Sequence, residues 1–167
     1  MLDHNVEELA ITEHRASIVL DTESGQRGDI AQWVEQFSYV WDAPRQRLDR
    51  LMRLLSTDIV LKAPTIPPVS RGQIEGRAAF ERALRAMPDL RADIHRWSTS
   101  GELLFIEMTF SATVGNRKIA WDDVDRILFR NGEAVERVAY FNPEPIKRAF
   151  LRSPSALWQR LRLRLGF

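Results

Sequence analysis

The chain contains no cysteine, which removes disulfides, thiol nucleophiles and cysteine-held zinc or iron–sulfur centres together. It also lacks an excess of charge: 24 Lys and Arg against 23 Asp and Glu leave a formal net charge of +1, so no global field argues for nucleic acid or an acidic substrate. No apolar run approaches the roughly 18 residues of a membrane span. The acidic N-terminus has neither the basic nor the apolar stretch of a secretory signal, so a cytoplasmic protein is expected. A phosphate-cradling glycine loop, a serine elbow and a nucleotide fingerprint are all missing, and no cofactor is expected. His4 and His14 stand at no spacing from acids that would make a metal site.

What is present fits one domain of ordinary size with additions at both ends. Residues 1–28 close on "DTESGQRG" and read as a flexible lead-in, with "ASIVL" as a short docking segment. The domain itself is expected over residues 29–150. "DIAQWVEQFSYVW" opens on Asp29 as N-cap and carries Ile30, Trp33, Val34, Phe37, Val40 and Trp41 at helical spacing. Pro44 suits the first turn of a second helix, whose stripe is Leu48, Leu51, Met52 and Leu55. "DIVLKA" reads as a strand and "PTIPPVSRG" as a loop. A third helix is expected from Arg77 to Met87, ended by Pro88.

Four apolar, alternating segments follow, separated by "TSGE", "GN" and "NG", each a hairpin signal. Three helices followed by a meander is an α+β pattern. The expected fold is a cone: a strongly curved, bulged antiparallel sheet covered by three N-terminal helices. The arm over residues 151–167, "LRSPSALWQRLRLRLGF", is basic and apolar. It reads either as a membrane-surface helix or as an arm packed on the domain or on a second subunit.

"WDDVDRILF" sets the functional question. On a strand, Trp121, Asp123, Asp125, Ile127 and Phe129 share one face. Two acids among aromatics mean that the face is wet or that the acids have work to do. A buried carboxylate must be protonated, hydrogen-bonded or paired with a cation. His95, alternating with Trp97, is either a proton shuttle or a hydrogen-bonded structural residue.

Taken in order, "LLSTDIVLKAP", the glycine of "SRGQ" and "VDRILFRNGEAVERVAYFNP" resemble the nuclear-transport-factor-2-like superfamily over roughly residues 29–150. That superfamily includes ketosteroid isomerases, limonene epoxide hydrolase and SnoaL-type polyketide cyclases. The resemblance implies a small hydrophobic ligand and a homodimer formed through the outer face of the sheet, the latter also suggested by the apolar second face of "LLFIEMTF"; with the charges balanced, no nucleic-acid partner is expected. Asp125 falls where ketosteroid isomerases keep a protonated aspartate, and Tyr39 is the candidate for their oxyanion tyrosine. Their general base falls at Ala63. The aspartate that the epoxide hydrolase and the cyclases share falls at Ala139. The resemblance also puts Phe105, Glu107, Thr109 and Ser111, with Val135, Arg137, Ala139 and Phe141, on the cavity side.

The expected ionisable set is therefore Glu107, Asp123, Asp125 and Arg137. Asp125, Glu107 and Tyr39 are the catalytic candidates, and Trp121, Asp123, Arg137, Phe105, Thr109 and Phe141 the ligand-binding ones. If Arg137 pairs with Glu107, that acid stays ionised as a base while Asp125 stays protonated as an acid. Acid–base isomerisation or cyclisation of a cyclic carbonyl compound would follow. The competing reading is a purely structural acid–arginine network in a ligand-binding or interaction module.

Overall fold

The computed structural model describes residues 28–64 and 66–153. The lead-in and most of the basic arm, including "ASIVL" and "RLRLRL", lie outside the described residues. The chain divides into two compact units, residues 1–34 and 35–167, and the whole sheet belongs to the second. Helix α1 covers residues 28–42. Helix α2, Pro44–Arg53, starts on the proline predicted to open it and buries Pro44, Leu51 and Met52. Proline lacks the N–H that a first turn leaves unbonded, so it costs nothing there. Leu55 is not part of this helix; it is the first residue of strand β1, Leu55–Ala63.

The proline-containing segment after β1 corrects the loop expectation. Ile66–Arg71 forms strand β2, antiparallel to β1. The sheet order is β2-β1-β6-β5-β4-β3, so β2 is an edge strand. Prolines are tolerated at an edge because no second neighbour needs their N–H. Helix α3, Gly72–Ala86, begins a full turn before the expected start at Arg77 and buries Gly76, Ala79, Phe80 and Leu84. Gly72 makes that early start possible. Its φ of +71° lies in the left-handed region, and a Cβ there would meet the Thr57 carbonyl oxygen at 3.4 Å.

Strands β3 (Arg91–Ser100), β4 (Leu103–Val114), β5 (Arg117–Arg130) and β6 (Glu133–Phe141) form the expected antiparallel meander. The Asn131–Gly132 turn has positive φ at both residues, 52° and 80°, the geometry that matches strand twist in a two-residue hairpin. The sheet is mixed rather than purely antiparallel, because β1 pairs with β6 in parallel. These strands are joined through most of the chain, so no tight turn dictates their direction. The result is a curved, open sheet.

A fourth helix, α4 (Glu144–Leu151), follows β6 and packs on β5, while α3 packs on β1 and β2 and α2 on β1. The core of this unit includes Phe37, Val40, Ile59, Leu61, Leu104, Ile106, Met108 and Ile127, all at most 2% exposed. Among the described residues no helix is long and apolar enough to cross a membrane.

Gly72→Ala must adopt the left-handed backbone with a Cβ, so it should destabilise the fold by about 1–2 kcal/mol. Urea denaturation of the two proteins would show this as a lower midpoint at unchanged slope; an unchanged midpoint would refute it.

Candidate functional site

The site is built on the covered face of β5. Along this strand Trp121, Asp123, Asp125, Ile127 and Phe129 are buried, while Asp122, Val124 and Arg130 are exposed. The face sharing expected from alternation is what the structure shows. Asp125 is 0% and Asp123 2% exposed, a degree of burial that carboxyls rarely reach without a partner.

Arg137 is that partner for Asp125. Its Nε donates to Asp125 Oδ2 at 2.6 Å, and the arginine itself is buried. Asp125 lies opposite Ala139, and Arg137 lies opposite Ile127. The ion pair is therefore diagonal, across a position where alanine leaves the space open. A bulge at Val135 makes the arrangement possible: Phe129 pairs with Ala134 but Leu128 with Glu136. Val135 is the extra residue, so Ala134 rather than Val135 takes the buried position.

Aromatic rings surround the cation. The Arg137 guanidinium carbon lies 5.4 Å from the Trp41 ring centre, 5.8 Å from Phe37 and 5.9 Å from Phe80, within cation–π range. The rings continue as a chain. Trp41 meets Phe110 edge-on at 4.9 Å, Phe110 stacks on Trp121 at 5.5 Å, and Trp121 reaches Phe141 at 6.2 Å. Among the described residues three buried polar atoms in this region have no hydrogen-bond partner: Trp41 Nε1, Trp121 Nε1 and Asp125 Oδ1. A buried group left unpaired costs about 1–3 kcal/mol. Two donors and one acceptor are thus left unsatisfied by the protein itself.

One guanidinium faces two acids, and the electrostatics follow from that count. Burial raises the Asp125 carboxyl above its ordinary value, with the charge and hydrogen bond of Arg137 opposing the shift. Asp123 is pushed up to about 7, first by burial and then by the charge of Asp125; Arg137 and the N–H of Tyr140 partly offset it. Burial therefore biases both carboxyls towards the protonated form, and Asp125 is the one that the arginine touches.

The remaining candidates stand elsewhere. On β4 the buried residues are Leu104, Ile106, Met108 and Phe110, so Phe105, Glu107, Thr109 and Ser111 face outward. This reverses the assignment carried over from the isomerases. Glu107 pairs with Arg96 at 2.5 Å rather than with Arg137, and that hydrogen bond holds its carboxyl below the ordinary range. Thr109 bonds to His95 and donates to Asp122 at 2.9 Å on the same outer face. Tyr39 is 49% exposed, with the Arg47 guanidinium 3.7 Å and that of Arg50 4.9 Å from its ring centre.

Asp123, Asp125, Arg137, Trp121 and Phe141 are brought together, then, and Glu107, Phe105, Thr109 and Tyr39 are not. Phe37, Trp41 and Phe80 were missing from the expected site, although the helical spacing of Phe37, Val40 and Trp41 puts those three on one stripe. Phe110 belongs here as well. No group of three or more His, Asp or Glu among the described residues is placed to hold a metal ion.

Comparison with known proteins agrees with this architecture. A protein of unknown function with the NTF2-like fold from Burkholderia pseudomallei K96243 superposes with a TM-score of 0.65 at 22% identity, over 72% of this chain and 96% of that one. A putative SnoaL-like polyketide cyclase from Jannaschia sp. CCS1 gives 0.62 at 12% identity, over 74% and 94%. An epoxide hydrolase similar to limonene epoxide hydrolase from M. tuberculosis gives 0.60 at 18%, over 78% and 95%. At these identities the likeness is one of fold. No curated protein sequence matches the chain. The profile of the SnoaL-like domain matches residues 30–137, and the chain belongs to that family.

Proposed function

We propose that the covered face of the sheet binds a small, largely apolar ring compound bearing a carbonyl group, and that Asp123 moves a proton on it. The observation that carries this reading is the buried set of Asp123, Asp125 and Arg137 within an aromatic wall whose indole N–H groups and one carboxylate oxygen lack partners. A structural network would be expected to satisfy its own members. With a pKa of about 7, Asp123 is poised to give and take a proton at neutral pH. A charge on Asp125, which Arg137 holds, favours the protonated form of Asp123. Isomerisation or cyclisation next to the carbonyl suits this equipment and needs no cofactor. The names of structural neighbours, a polyketide cyclase and an epoxide hydrolase among them, fit small-molecule chemistry of this kind.

A second reading has its own support. Ala139 sits directly opposite Asp125, where the resemblance places a catalytic aspartate, and Ala63 stands at the position of the isomerase base. A non-catalytic module would need neither acid. Its outer sheet face exposes Val124 by 38% and Tyr140 by 53%, which suits pairing of two copies. Tyr140→Glu should then convert a dimer to a monomer in sedimentation velocity; a parent protein already monomeric at tens of micromolar would remove this reading's interface.

Asp123 also ties stability to pH. Its folded pKa of about 7 exceeds the ordinary 3.8, so between these values the native state holds a proton that the unfolded chain has released. Stability should fall as pH rises from about 4 to about 7, by roughly 2–4 kcal/mol from this group. Asp123→Asn should flatten that slope in denaturant titrations. A parallel decline in both proteins would show that Asp123 titrates normally.

For activity, a thermal-shift screen of cyclic carbonyl compounds identifies ligands, since binding to the native state raises the melting temperature. With a compound that turns over, kcat/KM plotted against pH should bend near 7, and Asp123→Asn should lower it by roughly 10²–10⁴-fold and remove the bend. Unchanged turnover in Asp123→Asn would refute the catalytic role.

A further inference from the structure

Arg137 uses only part of its hydrogen-bonding capacity on Asp125. Nε donates to Asp125 Oδ2, while Nη1 and Nη2, at the far end of the planar fork, donate to no acceptor among the described residues. These nitrogens differ from the other unpaired donors nearby. The Nε1 atoms of Trp41 and Trp121 are sealed from solvent, and the Arg137 nitrogens are not. The arginine side chain is 10% exposed against 0% for Asp125. The fork is thus held at its inner edge by the acid and reached by solvent, through a narrow opening, at its end.

The surroundings favour one kind of occupant. Phe37, Trp41 and Phe80 stand within 5.9 Å of the guanidinium carbon, and such apolar walls strengthen a charge-assisted hydrogen bond made between them. A planar fork of parallel N–H groups matches the two oxygens of a carboxylate. Charge balance points the same way. When Asp123 and Asp125 hold the protons that burial favours, the guanidinium is a buried cation without a counter-ion, a costly state. A single negative charge offsets it, whereas a dianion such as phosphate would leave a net negative charge beside the two acids. The small opening admits a head group of carboxylate size and not a ring.

We infer that Nη1 and Nη2 of Arg137 are a binding site for a monocarboxylate, whose two oxygens they receive side by side. The carboxylate belongs either to a small free acid or to a larger molecule whose body stays outside the opening. The inference needs neither the ring compound nor the proton transfer proposed above. It does carry a dependence on pH. Asp123 and Asp125 are the titratable groups facing Arg137, since its neighbours from β1, α1 and α3 are Leu61, Phe37, Trp41 and Phe80, which do not titrate. Asp123, pushed up to about 7, becomes charged as pH rises and then repels an incoming anion, so binding weakens with pH.

The test titrates acetate and benzoate calorimetrically, with acetamide and benzamide as neutral counterparts, into the parent, Arg137→Lys and Asp123→Asn, with melting curves to show that each variant folds. The acids should bind the parent at about pH 6, roughly tenfold more weakly at about pH 8, and in preference to the amides. Arg137→Lys keeps the charge but loses the fork, and should weaken the acids roughly ten- to a hundredfold. Asp123→Asn should bind them at the higher pH as the parent does at the lower. Similar affinities for acetate and benzoate support a free small acid, and much tighter benzoate supports a carboxylate carried by a larger molecule. If neither acid binds the parent, if the amides bind as tightly, or if a folded Arg137→Lys binds the acids unchanged, the inference fails, while the pH–rate test of Asp123 stands apart from it. Should Arg137→Lys not fold, the parent decides: equal affinity for the acids at both pH values overturns the inference.

Discussion

The contact between Arg137 and Asp125 is the constraint around which the candidate site is arranged. A guanidinium and a carboxylate both taken out of water lose several kcal/mol of hydration each, and their attraction offsets this only with close geometry and further favourable neighbours. The 2.6 Å hydrogen bond supplies the first, and the rings of Phe37, Trp41 and Phe80 supply the second. The second acid, Asp123, has no such contact, and placing another charge beside this pair is resisted by burial and repulsion together. A single arginine therefore gives two chemically identical side chains different surroundings. The difference between Asp123 and Asp125 comes from a partner, since both lie on one strand and one face.

The same accounting separates the two faces of the sheet. The outer face carries its own charges: Arg96 with Glu107, and Glu136 with both Lys62 and Arg126. These side chains are partly solvated, so each pair adds little to stability and leaves its acid ionised. Glu107 and Glu136 both sit below the ordinary carboxylate range. An acid that never holds a proton near neutrality, on a face open to solvent, offers little to proton transfer. Glu107 and Asp125 differ in chemistry because they differ in parity along paired strands.

That parity shows how far the sequence could be read. Helices α1 and α2, the hairpin at Asn131–Gly132 and the buried face of β5 follow from local pattern, because apolar spacing, an opening proline and turn residues are local properties, although Asp29, expected as N-cap, lies within α1, which starts at residue 28. The faces of β4 depend on pairing, and analogy to the isomerases placed them one residue out. The information was nevertheless present. A two-residue turn at Gly115–Asn116 sets Val114 opposite Arg117, and counting back along both strands brings Ile106, not Glu107, opposite Asp125. Strand β2 was hidden for a different reason. Two prolines in six residues contradict strand propensity, and only knowing that the segment lies at an edge removes the contradiction.

Bulges are what no turn rule could have supplied. Counted from the Asn131–Gly132 turn without an extra residue, Arg137 would lie opposite Arg126 on the outer face, and Asp125 would be buried with no cation. The insertion at Val135 shifts the register by one and brings Arg137 inside. On β3 the insertion at His95 does the complementary job. It keeps Ala92 and Ile94 on the covered face beyond the bulge and Trp97 on it before, while two consecutive polar residues turn to solvent. An extra residue in one strand of a pair leaves the ladder locally incomplete, a cost that needs a return. Here each bulge decides which side chain shares the covered face: a cation beside Asp125 in one case, an indole at the β3 edge in the other. The site is thus specified less by the residues of "WDDVDRILF" than by the register of the strands on either side of them.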